Sequence, residues 1–252
     1  MGNIAFMASE TPVAQEAQQT LGGAYGNVAP EAAQVIVALG GDGFMLQTLH
    51  GTQHLDIPVY GMNCGTIGFL MNEYREDGLR DRLTQAVEEV INPLHMWALT
   101  DDGAEQERLA INEVALLRAG PQAAKLRISV DGRVRMPELV CDGALVSTPA
   151  GSTAYNYSAY GPILPIGADV LALTAIAAFR PRRWRWALLP KSAEVTFEVL
   201  EPDKRRVHAD ADSRSVQNVR KVTIRSEASI AHRILFDPGH GLEERLISEQ
   251  FS

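Results

Sequence analysis

The chain has 252 residues, 46% of them hydrophobic, and a formal net charge of −8. This length allows a sizeable buried core in one or two domains. The acidic balance argues against a general nucleic-acid binder, which is usually basic. No apolar run reaches the roughly 18 residues that a bilayer span requires.

The N-terminus "MGNIAFMASE" lacks a basic stretch followed by a long apolar one, so it does not read as a secretory signal. Its "NIAFMA" reads as a first strand. Thr11 can cap a helix with Pro12 at its first position, and Gly22-Gly23 marks that helix's end. "QVIVAL" is a buried strand, "FMLQTLH" a helix and "IPVYGMN" a third strand. Leu79, Leu83, Ala86, Val87 and Val90 recur at helical spacing, which predicts a helix over residues 78–91. Short apolar strands alternating with helices predict a parallel sheet covered by helices.

Past Pro93 the pattern turns β-rich. "KLRISVDGRVRM" alternates Leu126, Ile128 and Val130, turns at Asp131-Gly132 and resumes with Val134 and Met136, as a hairpin does. "AEVTFEVLE" directs Val195, Phe197 and Val199 inward, and "RKVTIRS" and "HRILFD" read as further strands. The expected organisation is an α/β domain over residues 1–93 and an antiparallel β-rich domain over 94–230. A C-terminal segment, 231–252, would pack back on the first domain. Cys64 and Cys141 are far apart and form no CxxC pair, so both read as free thiols of a reducing cytoplasm.

Asp-Gly occurs five times, at Asp42, Asp77, Asp102, Asp131 and Asp142. Asp102 and Asp131 sit between strand patterns and read as hairpin turns, and Asp77 as the start of a helix. Asp42 differs. It follows Gly40 and Gly41, precedes Gly43, and stands between a buried strand and a helix. Such a turn gathers backbone N–H groups and a helix N-terminus, which suits a phosphate. A carboxylate there would repel the anion unless it served a proton or a metal, as a phosphoryl-transfer site requires. No P-loop, no GxGxxG opening the first helix, no GxSxG and no HExxH is present.

Three further segments stand out. "GMNCGTIGFL" is a second glycine-rich turn after a strand. "INEV" places Asn112 and Glu113 between apolar neighbours, where they lie either at an exposed edge or in contact with a ligand such as a ribose diol. "CDGALVSTPAGSTAYNYSAYGPILP", residues 141–165, crowds hydroxyls, tyrosines, glycines and prolines together, which favours a ligand site. A basic run, Arg180, Arg182, Arg183 and Arg185, alternates with Trp184 and Trp186 and reads as a surface loop, a contact to phosphates or a subunit interface, the tryptophans favouring the interface.

"GGDG", "NCGTIGFL", "NE" and "DGALVSTPAGSTAYNYSAYGPILP" occur here in the order seen in NAD kinases, which the chain resembles over roughly residues 35–212. The resemblance implies a Rossmann-like or phosphofructokinase-like N-terminal α/β domain and a C-terminal β-sandwich. It also implies transfer of the ATP γ-phosphoryl group to the 2′-hydroxyl of NAD's adenosine ribose, with Mg²⁺ or another divalent cation arriving with ATP. By the same resemblance Asp42 would be the catalytic base. Gly40, Gly41 and Gly43 would shape a phosphate loop, and Phe69 would pack beside the ligand. Asn112, Glu113 and Asp142 would hold the dinucleotide, and Thr153, Ala154 and Tyr155 would line the adenine pocket with Ser158 nearby. A later family aspartate matches Asp212 or Asp210, with Asp212 the better fit to the strand that follows. NAD and ATP would be substrates of a cytoplasmic homodimer or homotetramer that engages neither nucleic acid nor membrane. Other GGDG kinases, acting on lipids or sugars, and a non-catalytic NADP sensor are the alternatives.

Overall fold

The computed structural model describes residues 2–65 and 68–239. The chain divides into two compact units, one through Ile91 and again from Ile230 onward, the other Asn92–Ser229.

The first unit opens with β1 (Ile4–Ala8), α1 (Pro12–Tyr25), β2 (Val35–Gly40), α2 (Asp42–Thr52) and β3 (Val59–Asn63). A short β4 (Asn72–Glu73), α3 (Leu79–Gln85) and β5 (Val87–Ile91) follow. β1, β2 and β3 pair in parallel, as the alternation of strand and helix predicts. β2 is buried on both faces beyond its first residue, the mark of a parallel sheet covered by helices. Ile4, Phe6, Leu21, Val37, Leu39, Tyr60 and Met62 form much of its core.

Two expected boundaries differ. α1 runs through Gly22-Gly23 and stops at Gly26, whose φ of 81° no ordinary side chain adopts easily. Two glycines weaken a helix by about 1 kcal/mol each, yet Tyr25 donates its hydroxyl to Glu76 O and holds the last turn in place. The helix expected over residues 78–91 stops at Gln85, and Val87–Ile91 forms a strand. Val87 and Val90, read as part of a buried helical face, are 48% and 53% exposed. The β-branched residues instead pair with the later strand His232–Phe236 at a sheet edge, where strand propensity overrides helical spacing.

The second unit holds β6 (Leu94–Thr100), β7 (Glu105–Ala110), β8 (Glu113–Arg118), β9 (Ala124–Val130), β10 (Arg133–Cys141) and β11 (Gly143–Ser147). A 3₁₀ turn and the short α4 (Tyr155–Ser158) come next. Then follow β12 (Val170–Ile176), β13 (Trp186–Pro190), β14 (Val195–Val199), β15 (Val207–Ala211), β16 (Arg214–Val216) and β17 (Val219–Ser226). Six strands form the antiparallel sheet β10-β9-β14-β17-β6-β7, and six form β13-β12-β11-β8-β15-β16. Leu126, Ile128, Phe197 and Val222 of the first sheet share one core with Val114, Leu116, Val146 and Leu173 of the second. This is a β-sandwich, built by the period-2 alternation of its strands. The turns at Asp102-Gly103 and Asp131-Gly132 are hairpins, with φ of 50° and 70° at Asp131 and Gly132.

β18 (His232–Phe236) returns to the first unit, parallel to β3 and antiparallel to β5. Asp237 behind it accepts from the Tyr60 hydroxyl at 2.6 Å and from Arg82. The helical pattern of the C-terminal stretch lies outside the described residues, as do Thr66 and Ile67 of the second glycine turn. Cys64 and Cys141 are both free.

Candidate active site

In the first unit, Asp42 begins α2 directly beyond the carboxyl end of β2. Open α/β sheets bind their ligands at the carboxyl ends of parallel strands. The Asp42 carboxylate accepts from two successive amides after β3. Phe69 N–H donates to Oδ2 at 2.6 Å and Leu70 N–H to Oδ1 at 2.8 Å. Both oxygens are thereby oriented by a turn 27 residues away. Gly68 makes this approach possible: a Cβ there would stand 2.7 Å from Asp42 Oδ1 and 2.9 Å from Met71 Cγ. Phe69 thus bears on the site first through its backbone.

The three glycines around Asp42 are not equivalent. Gly40 ends β2, and a Cβ on it would lie 2.9 Å from Cβ of Phe44, so internal packing explains it. Among the described residues nothing lies within 4 Å of a Cβ on Gly41 or Gly43. Gly41 has φ −116°, which any residue adopts. Among the described residues nothing packs against these two glycines, so the turn has room for a close approach to its backbone.

In the second unit, β8 lies between β11 and β15, so "INEV" is not at an exposed edge. Glu113 is the first residue of β8, and its Oε2 is buried without a hydrogen-bond partner. Burial and then the nearby Asp212 charge push its carboxyl from the ordinary 4.5 up to about 8, against a weaker opposing effect of the Tyr155 N–H. A buried acceptor without a partner is an opening for a ligand hydroxyl.

The Ile111–Glu113 backbone is held from two sides. Asp212, in the turn between β15 and β16, accepts from the N–H groups of Ile111, Asn112 at 2.9 Å and Glu113 at 3.4 Å. Opposite it, the Thr148 hydroxyl donates to Ile111 O at 2.7 Å, and the Thr148 N–H donates to Asn112 O. Gly151 packs so closely on Asn112 that a Cβ would strike its carbonyl.

The hydroxyl-rich segment divides by exposure. Ser147, Thr148 and Ser152 are buried and satisfy backbone groups, so these hydroxyls build the loop and do not face a ligand. Asn156, which sequence reasoning passed over, is fully buried. It donates to Ser152 O and Pro162 O and accepts from Thr174 at 2.6 Å. Thr153, Ala154 and Tyr155 are half-buried, and Ser158 is exposed, leaving them available to a ligand.

Asp142 sits apart along the strand. Its carbonyl accepts from Arg118 N–H, five residues from Glu113 on β8 and so about 16 Å along it. Its side chain accepts from Arg118 Nε at 2.6 Å. The Tyr155 hydroxyl feels the charges at both positions. Burial, then the carboxylates of Glu113, Asp210 and Asp142, hold its hydroxyl above the usual tyrosine range. Asp210, the alternative family aspartate, accepts from Ser215 and faces His208 at 3.5 Å. Among the described residues no cluster of three potential metal ligands occurs.

The basic run joins β12 to β13. Arg180 is tied to Val140 by backbone bonds, Trp184 packs on the sandwich core, and Trp186 is 43% exposed on the edge strand β13.

Two family models match: the ATP-NAD kinase N-terminal domain at residues 3–91 and the ATP-NAD kinase C-terminal domain at 111–230. An NAD kinase of Cereibacter sphaeroides is 71% identical over 248 residues, 98% of each chain. That of Caulobacter vibrioides is 59% identical over 249 residues, 99% of this chain and 96% of the relative. The crystal structure of yeast NADH kinase complexed with NADH superposes with a TM-score of 0.84 at 21% identity, covering 100% of this chain and 87% of that one. The NAD kinase from Archaeoglobus fulgidus in complex with ATP gives 0.78 at 23% identity, covering 98% of each. At these identities the two structures speak to fold, while both domain models and the close relatives establish that the chain belongs to the NAD kinase family.

Proposed function

We propose that the chain phosphorylates NAD, moving the γ-phosphoryl group of ATP to the 2′-hydroxyl of the adenosine ribose to give NADP. The observation that carries this is the Asp42 turn: an oriented carboxylate at a helix N-terminus, beside two glycines against which nothing packs among the described residues. Asp42 accepts the proton of the attacking hydroxyl. The new bond joins that oxygen to the γ-phosphorus, the bond to the bridging oxygen breaks, and ADP departs with the electron pair. Such transfer needs little covalent work from the protein and rests on positioning and charge neutralisation.

ATP enters as its complex with Mg²⁺ or another divalent cation. A small hard cation carried on phosphate oxygens and water needs only one or two carboxylates, which suits a chain with no dense acidic cage among its described residues. Asn112 and Glu113 hold the dinucleotide, with Glu113 Oε2 taking a ribose hydroxyl. Thr153, Ala154 and Tyr155 line the adenine pocket beside Ser158, with Phe69 and Asp142 as further contacts. The edge strand β13, with Trp186 and Leu188 43% and 49% exposed, favours a homodimer or homotetramer. Two free thiols favour a cytoplasmic setting.

The test is direct. Purified protein is incubated with NAD and ATP or polyphosphate, with Mg²⁺ or Mn²⁺, and NADP is measured enzymatically. Accumulation of NADP supports the reading. Binding of NADP without turnover would make the chain a sensor, and phosphorylation of a lipid or sugar in its place would make it another GGDG kinase.

A further inference from the structure

Asp212 occupies a conformation chosen for its side chain. It has φ 45° and is followed by Ser213 at φ 69°, a pair of left-handed residues closing the hairpin between β15 and β16. Such a turn is most easily made with glycine or asparagine. Aspartate is tolerated there, and here its carboxylate folds back over the neighbouring strand. It accepts from the amides of Ile111, Asn112 and Glu113, and its own N–H donates to Glu113 O at 3.3 Å. Two residues on, Arg214 donates to Leu109 O of β7. One carboxylate thus serves three consecutive N–H groups leading into β8. Across the segment, Thr148 and Gly151 close on the carbonyl side.

We propose that Asp212 is a positioning residue for nucleotide binding: it holds the Asn112–Glu113 backbone in register through three amides, so that the Glu113 carboxyl points where a ribose hydroxyl arrives. This rests on the reading of Asn112 and Glu113 as dinucleotide contacts. To the expected ligand contact at Asp212 it adds a structural task, since its oxygens accept from three amides of the segment leading into β8. A second effect accompanies the first. The Asp212 charge is, after burial, the largest influence raising the Glu113 carboxyl. The other group acting on Glu113 is Tyr155, whose N–H favours the ionised form, and the Tyr155 hydroxyl in turn feels the charges of Glu113, Asp210 and Asp142.

Asp212→Asn tests this. Asparagine accepts the left-handed turn and keeps one acceptor, but it turns a donor toward amide N–H groups. The expected result is a KM for NAD raised at least tenfold, with the KM for ATP within twofold of the parent. The Glu113 carboxyl, followed by ¹³C NMR, should titrate at lower pH in the variant because a neighbouring negative charge is gone. Asp212→Gly, which suits φ 45° still better, should reproduce both effects if the asparagine variant folds poorly. An unchanged KM for NAD, or a uniform loss in both KM values and thermal midpoint with the Glu113 titration unmoved, overturns the proposal. Absence of any NADP from the parent protein would instead count against the kinase reading. The Glu113 titration needs no turnover and still decides the role of Asp212.

Discussion

The two units use the same device for different ends. In each, an aspartate just past a strand accepts from successive backbone amides contributed by a distant turn or strand start: Asp42 from Phe69 and Leu70, Asp212 from Ile111, Asn112 and Glu113. Their surroundings separate them. Asp42 opens a helix and has Gly41 and Gly43 beside it, against which nothing packs among the described residues. Asp212 lies in a tight left-handed hairpin pressed on its neighbouring strand. Hydrogen bonds to amides orient a half-buried carboxylate in both places. What differs is what stands beside it: a helix start with two glycines at Asp42, and a strand backbone held through three amides at Asp212.

The largest expected effect breaks this contrast at Asp42. Asp42→Ala removes the proton acceptor, and general-base contributions are about 10²–10⁴-fold. We expect kcat to fall within that range while NAD binding, measured by calorimetry, stays within a few fold. Asp42→Ala with parental kcat would remove Asp42 from the chemistry.

Gly68→Ala attacks the same carboxylate indirectly. The added methyl would crowd Asp42 Oδ1 at 2.7 Å, so the carboxylate or the turn must shift. A displacement near 1 Å in a reacting group costs about 10²-fold. A fall in kcat of about that order, with a cooperative unfolding transition preserved, is the expected outcome. Full activity would show that the Asp42 position tolerates such movement.

These residues mark how far the sequence could be read. The Asp42 turn was legible because its strand, glycines and helix are consecutive, and the sandwich because strand alternation is local. The amides that orient Asp42 were not, since 27 and 28 residues intervene and no pattern links them. "HRILFD" read as a strand, but its place beside β3 depends on a pairing across some 175 residues that composition does not encode. The hydroxyls of residues 147–153 were visible as a group. Which of them face inward depends on how Thr148 and Gly151 meet Asn112. The helix expected over residues 78–91 extends only to Gln85, because Val87–Ile91 pairs along the edge of β18, a long-range contact that local spacing does not reveal.

Gly43→Ala separates fold from function at one atom. A methyl there meets nothing within 4 Å among the described residues, and alanine exceeds glycine as a helix former by about 1 kcal/mol. We expect the variant to be more stable toward urea by up to about that amount. The KM for ATP should nevertheless rise, on the order of tenfold if the methyl costs the phosphates about 1.4 kcal/mol. A more stable variant with an unchanged KM would place the phosphates elsewhere.

The smallest effect is in stability and concerns Glu113. Its carboxyl is raised from 4.5 to about 8 in the folded chain, so folding favours the protonated form. The associated stabilisation is fully present below pH 4.5, is lost as pH rises through that interval, and is gone above about pH 8. Glu113→Gln retains the shape and an acceptor but cannot ionise. The other carboxylates are common to both proteins and largely cancel in the difference. We therefore expect the thermal midpoint of Glu113→Gln to exceed the parent's at pH 8.5, by about 2–4 °C for each kcal/mol in a protein of this size. The gap should narrow steadily toward pH 5, where both side chains are neutral in the folded state. A gap independent of pH would mean that Glu113 is ionised throughout. Glu113 would then meet the ribose as a carboxylate with two acceptors, without the proton that its burial beside Asp212 otherwise retains.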